Sequence, residues 1–123
     1  MVSLDWQDVF FHVLVLQSHR LRLRFKVGQE YFQLAVLFLG ITSAPRVFTK
    51  VIAVVATHFQ RLGVAVFLYL DDWLLKAGSP QSVANHIRTM ADHLGFTIND
   101  TKSHLISHQR LPFIGAILDT VEF

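Results

Sequence analysis

Val64-Ala65-Val66-Phe67-Leu68-Tyr69-Leu70-Asp71-Asp72-Trp73-Leu74-Leu75-Lys76-Ala77 is the stretch that decides how the rest of the chain is read. Val64 to Leu70 is a continuous apolar run too short for a helix of its own, which predicts a strand covered on both faces. Two acids interrupt it before Trp73 to Ala77 resumes the apolar pattern, so the stretch reads as a β-hairpin with both carboxylates at its tip. Carboxylates at the ends of buried strands need partners, because desolvating an unpaired charge is costly. Adjacent acids also repel each other, and a divalent cation is one way to hold both ionised. Asp is equally one of the commonest turn residues, and such a pair met alone reads more often as structural.

Working outward, Val2-Ser3-Leu4-Asp5 is a second short strand ending at an acid. Were it paired beside the Asp71 strand, three carboxylates would meet in one cleft, the arrangement that two-metal phosphoryl transfer uses. Mg²⁺ suits such a site, since it takes a few carboxylates and keeps water and phosphate oxygens as its other ligands. Asp8 reads as a helix-start acid that answers the helix dipole. From Arg20 to Val27 the alternation is strict, with Arg20, Arg22, Arg24 and Lys26 on one face and Leu21, Leu23, Phe25 and Val27 on the other. That is the period-2 signature of a half-buried strand, and a turn at Gly28 leads into a second strand, Tyr31 to Val36.

Two helices follow from capping and spacing. Ser43 as cap, Pro45 in the first turn and Gly63 as stop bracket one, with Phe48, Val51, Val55, Phe59 and Leu62 as its buried stripe. Ser79, Pro80 and Gly95 bracket the other, with Val83, Ile87, Met90 and Leu94 inward. Phe96 to Ile98, Ser103 to Ile106 and Phe113 to Leu118 are short strand candidates. The order implies an α+β fold, an antiparallel β-sheet backed by two helices.

Composition sets the outer bounds. A chain of 123 residues supports one core, and 52% hydrophobic against 16% charged residues excludes disorder. The longest charge-free stretch, Tyr31 to Pro45, is 15 residues, short of the roughly 20 that a bilayer requires. The first residues lack the basic and apolar regions of a signal peptide, and the absence of cysteine fits an intracellular protein, cytoplasmic or nuclear. Net charge is only +2, yet Arg20, Arg22, Arg24, Lys26, Arg46 and Lys50 face a single acid, Glu30, in that part of the chain. This is a local basic field suited to an anionic partner.

Together these segments resemble the reverse transcriptases of retroelements, of the DIRS-like and Ty3/gypsy-like groups. Ser3-Leu4-Asp5-Trp6-Gln7-Asp8-Val9-Phe10 resembles the first palm motif, and Tyr69-Leu70-Asp71-Asp72 matches the Tyr-x-Asp-Asp box. Leu37-Phe38-Leu39-Gly40-Ile41-Thr42-Ser43-Ala44-Pro45-Arg46 is similar to the loop and helix that touch template and incoming nucleotide. Gly95-Phe96-Thr97-Ile98-Asn99 with Lys102 is similar to the fourth motif, and Pro112-Phe113-Ile114-Gly115 to the primer grip. Phe38 and Leu14 stand where the family usually has proline, and Trp6 and Val9 are bulkier than usual beside Asp5.

The resemblance implies a palm made of residues 1–12 and 43–123, with 13–42 forming a fingers-like hairpin and the loop of the second motif. It also implies that the N-terminal fingers, the thumb and the RNase H segment lie elsewhere in a longer polyprotein. Asp5, Asp71 and Asp72 would be the catalytic residues and would hold two Mg²⁺ ions, with Mn²⁺ as a substitute. Phe10, Gly40 and Lys102 would meet the dNTP: Phe10 by excluding a 2′-hydroxyl, Gly40 by close backbone approach, Lys102 by protonating pyrophosphate. Pro45, Phe113, Ile114 and Gly115 would touch an RNA or DNA template-primer, and Arg20, Arg22, Arg24 and Lys26, about 6.6 Å apart along a strand face, would follow its phosphates. Core packing is the competing reading for Phe10, Phe113 and Ile114, and a solvated charged face for the basic residues and Lys102. The activity implied is DNA synthesis on an RNA or DNA template. The competing reading is an inactive palm that binds nucleic acid or protein. In either case the high apolar content predicts exposed apolar residues clustered where further segments dock.

Overall fold

A computed structural model describes residues 1–121. The central strand is β1 (Val2–Gln7), whose first five residues are all buried. A 3-10 turn, Val9–His12, follows, and Asp8 stands at its start in the left-handed region (φ 53°) with no capping bond from its side chain. It stands at a helix start, as the sequence predicts, but the element is a single 3-10 turn and its carboxylate makes no cap. The chain continues through the short helix α1 (Gln17–Arg20), a 3-10 turn at Leu21–Leu23, and the hairpin β2 (Arg24–Val27) and β3 (Glu30–Gln33).

The strand expected from Arg20 is thus only half formed. Arg24 and Lys26 share a strand face, whereas Arg20 and Arg22 lie on helical turns. The two-residue turn, with Gly28 at φ 60°, pairs β2 with a strand of only four residues. Beyond that ladder only Leu34 N–H to Leu23 C=O (3.2 Å) continues the pairing, and Leu21–Leu23 closes as a 3-10 turn, Leu and Arg being good helix formers. Both faces of the hairpin are exposed, and cross-strand contacts hold it. Phe25 stacks on Phe32 at 5.7 Å, and Lys26 Nζ sits 5.4 Å over the Tyr31 ring.

Helix α2 (Ala44–Arg61) buries Ala44, Phe48, Ile52, Val55, Ala56 and Phe59. Val51 and Leu62, expected inside, are exposed: the helix turns its Phe48–Ile52–Val55–Phe59 ridge to the sheet, and Val51 lies beside that ridge. Ser43 precedes the helix in helical conformation and makes no side-chain cap. Strands β4 (Ala65–Tyr69) and β5 (Asp72–Lys76) form the expected hairpin. Helix α3 (Pro80–Leu94) turns Val83, Ala84, Ile87 and Ala91 inward, leaves Met90 half-buried and Leu94 partly exposed, and ends at Gly95 in the left-handed conformation.

Strand β6 (Thr97–Ile98) completes a four-stranded antiparallel sheet in the order β4-β5-β1-β6. Because β4 is an edge strand, Phe67 and Tyr69 are exposed, and it is not covered on both faces as its apolar run predicts. Ser103–Ile106 forms no strand; it contributes a single bridge, Ser3 to His104. Phe113–Leu118 is two strands and not one, since β7 (Arg110–Phe113) and β8 (Ala116–Asp119) meet at a turn where Ile114 (φ 48°) and Gly115 (φ 73°) are both left-handed.

Trp6, Trp73, Phe48, Phe59, Leu4 and Ile87 centre the core, with the two indoles edge-to-face at 5.8 Å. Among the described residues neither indole N–H has a partner, a cost of about 1–3 kcal/mol each that the buried ring area offsets. Exposed large apolar side chains occur along most of the chain, Phe11, Leu14, Leu16, Tyr31 and Leu39 in its first third and Val54, Phe67, Tyr69, Ile106 and Ile117 beyond it, so they do not gather in one segment as the composition predicts. Among the described residues no helix is long and apolar enough to cross a membrane.

Candidate catalytic site

The register of β1 against β5 places Asp5 directly opposite Asp72. The Asp5 backbone groups point away from β5: its N–H donates to Ser103 Oγ (3.0 Å) and its C=O accepts from Asn99 N–H (3.0 Å). Asp5 and Asp72 are therefore a non-hydrogen-bonded pair, the kind in which facing side chains approach more closely. Trp6 N–H donates to Asp71 C=O (3.2 Å), tying the tip of the β4-β5 hairpin to β1. At that tip Leu70 is left-handed (φ 54°), a strained conformation for a branched residue, in the two-residue turn that brings Asp71 and Asp72 to the end of β1.

Asp5 is 8% exposed, and Asp71 and Asp72 are half-buried. Burial pushes the Asp72 carboxyl above the usual carboxylate range, the charges of Asp71 and Asp5 push it further, and a side-chain hydrogen bond with Asp5 adds to this. Lys102 opposes the shift. A carboxyl held in this way ionises less readily than a free one, and a nearby cation would favour its charged form.

The carboxylates do not all open into one cleft, as the sequence predicts they would. Asp5 and Asp72 line a cavity of about 140 Å³ together with Ser3, Lys102, Phe113, Ile114 and Gly115. Asp71, turned to the other side of the hairpin tip, lines a cavity of about 290 Å³ with Asp8, Phe10, Phe38 and Gly40. Among the described residues no three His, Cys, Asp or Glu side chains converge closely enough to hold a metal ion. The strand register aligns Asp5 with Asp72, and Asp71, one residue earlier on the turn, points elsewhere. The donor set still suits a hard ion, being all oxygen, with two carboxylates opposite each other and one of them reluctant to ionise alone. Mg²⁺ needs only one or two carboxylates, because it retains water.

The other candidates divide between these cavities and the surface. Lys102 sits on a turn closed by its own N–H to Asn99 C=O (3.2 Å), and its charge acts on Asp72. Phe113, Ile114 and Gly115 belong to the β7-β8 hairpin, which Leu111 anchors in the interior. Phe10 is buried and stacks on Phe48 at 4.3 Å, so it is a core residue whose ring also edges the Asp71 cavity. At Gly40 an added Cβ would collide with the Phe38 ring, which covers the face that close approach by a base pair would need. Pro45 lies in the first turn of α2 and lines neither cavity. Arg20, Arg22, Arg24 and Lys26 also lie outside both, and Arg20 is a structural residue whose Nε donates to Val15 C=O (2.9 Å).

Ser103 and Asn99, which hold the Asp5 backbone, were not among the sequence candidates. Their partner is almost the whole chain away, and a serine in a polar turn carries no local signal of that contact.

Residues 1–118 match a family model described as reverse transcriptase (RNA-dependent DNA polymerase). No curated protein matches the chain.

Proposed function

Since this chain belongs to the reverse transcriptase family, whose members are RNA-directed DNA polymerases, we propose that it is the palm segment of a retroelement polyprotein. On this reading it acts in template-directed DNA synthesis on RNA or DNA. The observation that carries the site is the meeting of Asp5, Asp72, Lys102 and the Phe113–Gly115 turn, from four separate parts of the chain, around one cavity. Asp5, Asp72 and, after rotation about the hairpin tip, Asp71 would hold Mg²⁺ or Mn²⁺. A divalent ion bound there supplies charge neutralisation and activation of the primer 3′-hydroxyl for in-line attack on the dNTP.

The chain's own residues do the rest. Lys102 places a proton donor beside the carboxylates, where pyrophosphate would leave. The Phe113–Gly115 turn braces the primer end from the opposite wall. On the Asp71 side, Phe10 limits the space for a 2′-hydroxyl, and Phe38 must swing away before a nascent base pair can rest on Gly40. Arg24 and Lys26, on one face of an exposed hairpin, offer sequence-independent phosphate contacts. The exposed apolar residues from Phe11 to Leu39 are the surface that fingers and further polyprotein segments would cover.

Primer extension on an RNA template with Mg²⁺ or Mn²⁺, using the chain joined to fingers and thumb segments, tests this reading. Incorporation that Asp71→Asn abolishes is the expected result. Incorporation unchanged by Asp71→Asn would overturn it. The covered Gly40 and the divided carboxylates favour a second reading, an inactive palm that binds nucleic acid. That reading predicts salt-dependent RNA binding without incorporation, insensitive to Asp5→Ala.

A further inference from the structure

Strand β1 is flanked on one side by β5 along most of its length, but on the other side only by fragments. β6 pairs with Trp6 and Gln7, and His104 bridges Ser3 through mutual backbone bonds (3.1 and 2.8 Å). Between these two contacts the flanking chain leaves the sheet as a turn from Asn99 to Ser103, closed by Ser103 N–H to Asn99 C=O (2.9 Å). The gap falls opposite Asp5. There the Ser103 hydroxyl takes the place of a strand backbone: Oγ accepts the Asp5 N–H (3.0 Å) and donates to the Asp5 C=O (3.3 Å). A hydroxyl suits this because it carries one donor and two acceptor lone pairs.

We propose that Ser103 is a positioning residue for the carboxylate site, its hydroxyl locking the Asp5 backbone and the Lys102 turn into one frame. Asp5 and Lys102 line the same cavity, and Ser103 is the covalent neighbour of one and the hydrogen-bond partner of the other. Without the hydroxyl, the Asp5 N–H loses its acceptor, and the turn carrying Lys102 is tied to β1 only at its ends, by Asn99 N–H to Asp5 C=O and by the Ser3–His104 pair, with nothing between them. Supporting groups of this kind typically change metal affinity by about 10- to 100-fold. This inference rests on the reading of Asp5 as a metal ligand.

The test compares Ser103→Thr, which keeps the hydroxyl, with Ser103→Val, which has the same shape without it. Mn²⁺ binding to the full chain is followed by electron paramagnetic resonance of the free ion, and amide hydrogen exchange is followed at Asp5. The Thr variant should match the native chain, while the Val variant should bind Mn²⁺ about tenfold more weakly and exchange the Asp5 amide at least about tenfold faster. Equal Mn²⁺ affinity and equal Asp5 protection in the two variants would overturn the proposal. Asp5→Asn is the reference: if it leaves Mn²⁺ binding unchanged, the metal reading fails, and the Asp5 exchange rate alone decides the role of Ser103. If the Val variant does not fold, the native chain decides, since an Asp5 amide exchanging as fast as that of exposed Gly28 would show that the bond does not form.

Discussion

Asp72→Asn should stabilise the metal-free chain, although it removes a residue assigned to chemistry. Asp72 faces Asp5 across a non-hydrogen-bonded strand pair, with Asp71 beside it, and its carboxyl is held above its usual range by burial and by those two charges. Cross-strand pair interactions are worth about 0.2–1 kcal/mol, and like charges directly opposite are destabilising. Asp72 is only half-buried, so solvent screening places the relief near 0.5 kcal/mol. For a domain of this length that raises Tm by about 2–3 °C. Asn keeps the shape and can donate to the Asp5 carboxylate, so no packing loss opposes the gain.

The sign follows from linkage. A carboxyl whose folded pKa is raised contributes its full stability below the unfolded pKa and loses it as pH rises through the folded one. The Asn variant should therefore gain over the native chain at neutral pH, and the gain should fade on acidification as Asp72 takes up its proton. Mg²⁺ at millimolar concentration should narrow the difference by stabilising the native chain more. Thermal melts followed by circular dichroism at pH 7 in chelator, at pH 7 with Mg²⁺ and in acid read all three. A lower Tm for Asp72→Asn at pH 7 in chelator, or a gain that does not diminish in acid, would refute the electrostatic reasoning.

Phe10→Ala removes a ring stacked on Phe48 in the core and should cost about 3–5 kcal/mol in chemical denaturation, whereas Phe10→Leu should cost far less. Gly40→Ala and Phe38→Ala should be non-additive, because the new Cβ collides with the Phe38 ring only when that ring is present. A double-mutant cycle on stability should give a coupling on the order of 1 kcal/mol. Arg24→Ala and Lys26→Ala should each reduce the slope of log affinity against log salt for RNA by about 0.7. Arg20→Ala should instead lower Tm through the lost bond to Val15 and leave that slope unchanged.

Local physics made much of this molecule legible in advance. The two helices were readable because Pro45, Gly63, Ser79 and Gly95 punctuate them and the apolar spacing fills the interval, constraints acting within a few residues. The β4-β5 hairpin was readable for the same reason, whereas the surplus of apolar residues is left exposed in many places, from Phe11 and Leu14 to Ile106 and Ile117, and not in one cluster. Where periodicity misled, the missing information was the partner. Arg20 to Val27 alternates as a strand does, yet only Arg24–Val27 finds a strand to pair with, and Val64–Leu70 reads as central but lies at an edge.

The site divides along the same line. That Asp5, Asp71 and Asp72 are the carboxylates to examine was determined by sequence alone, because acids beside apolar strands stand out wherever the chain places them. Which of them face each other was decided by strand register, a tertiary property: β1 meets β5 so that Asp5 opposes Asp72 and Asp71 turns toward Phe10 and Gly40. The role of Ser103 belongs wholly to the fold. Its hydroxyl matters only because a break in the strand beside β1 falls opposite Asp5, and no neighbouring residue in the chain records where that break will be.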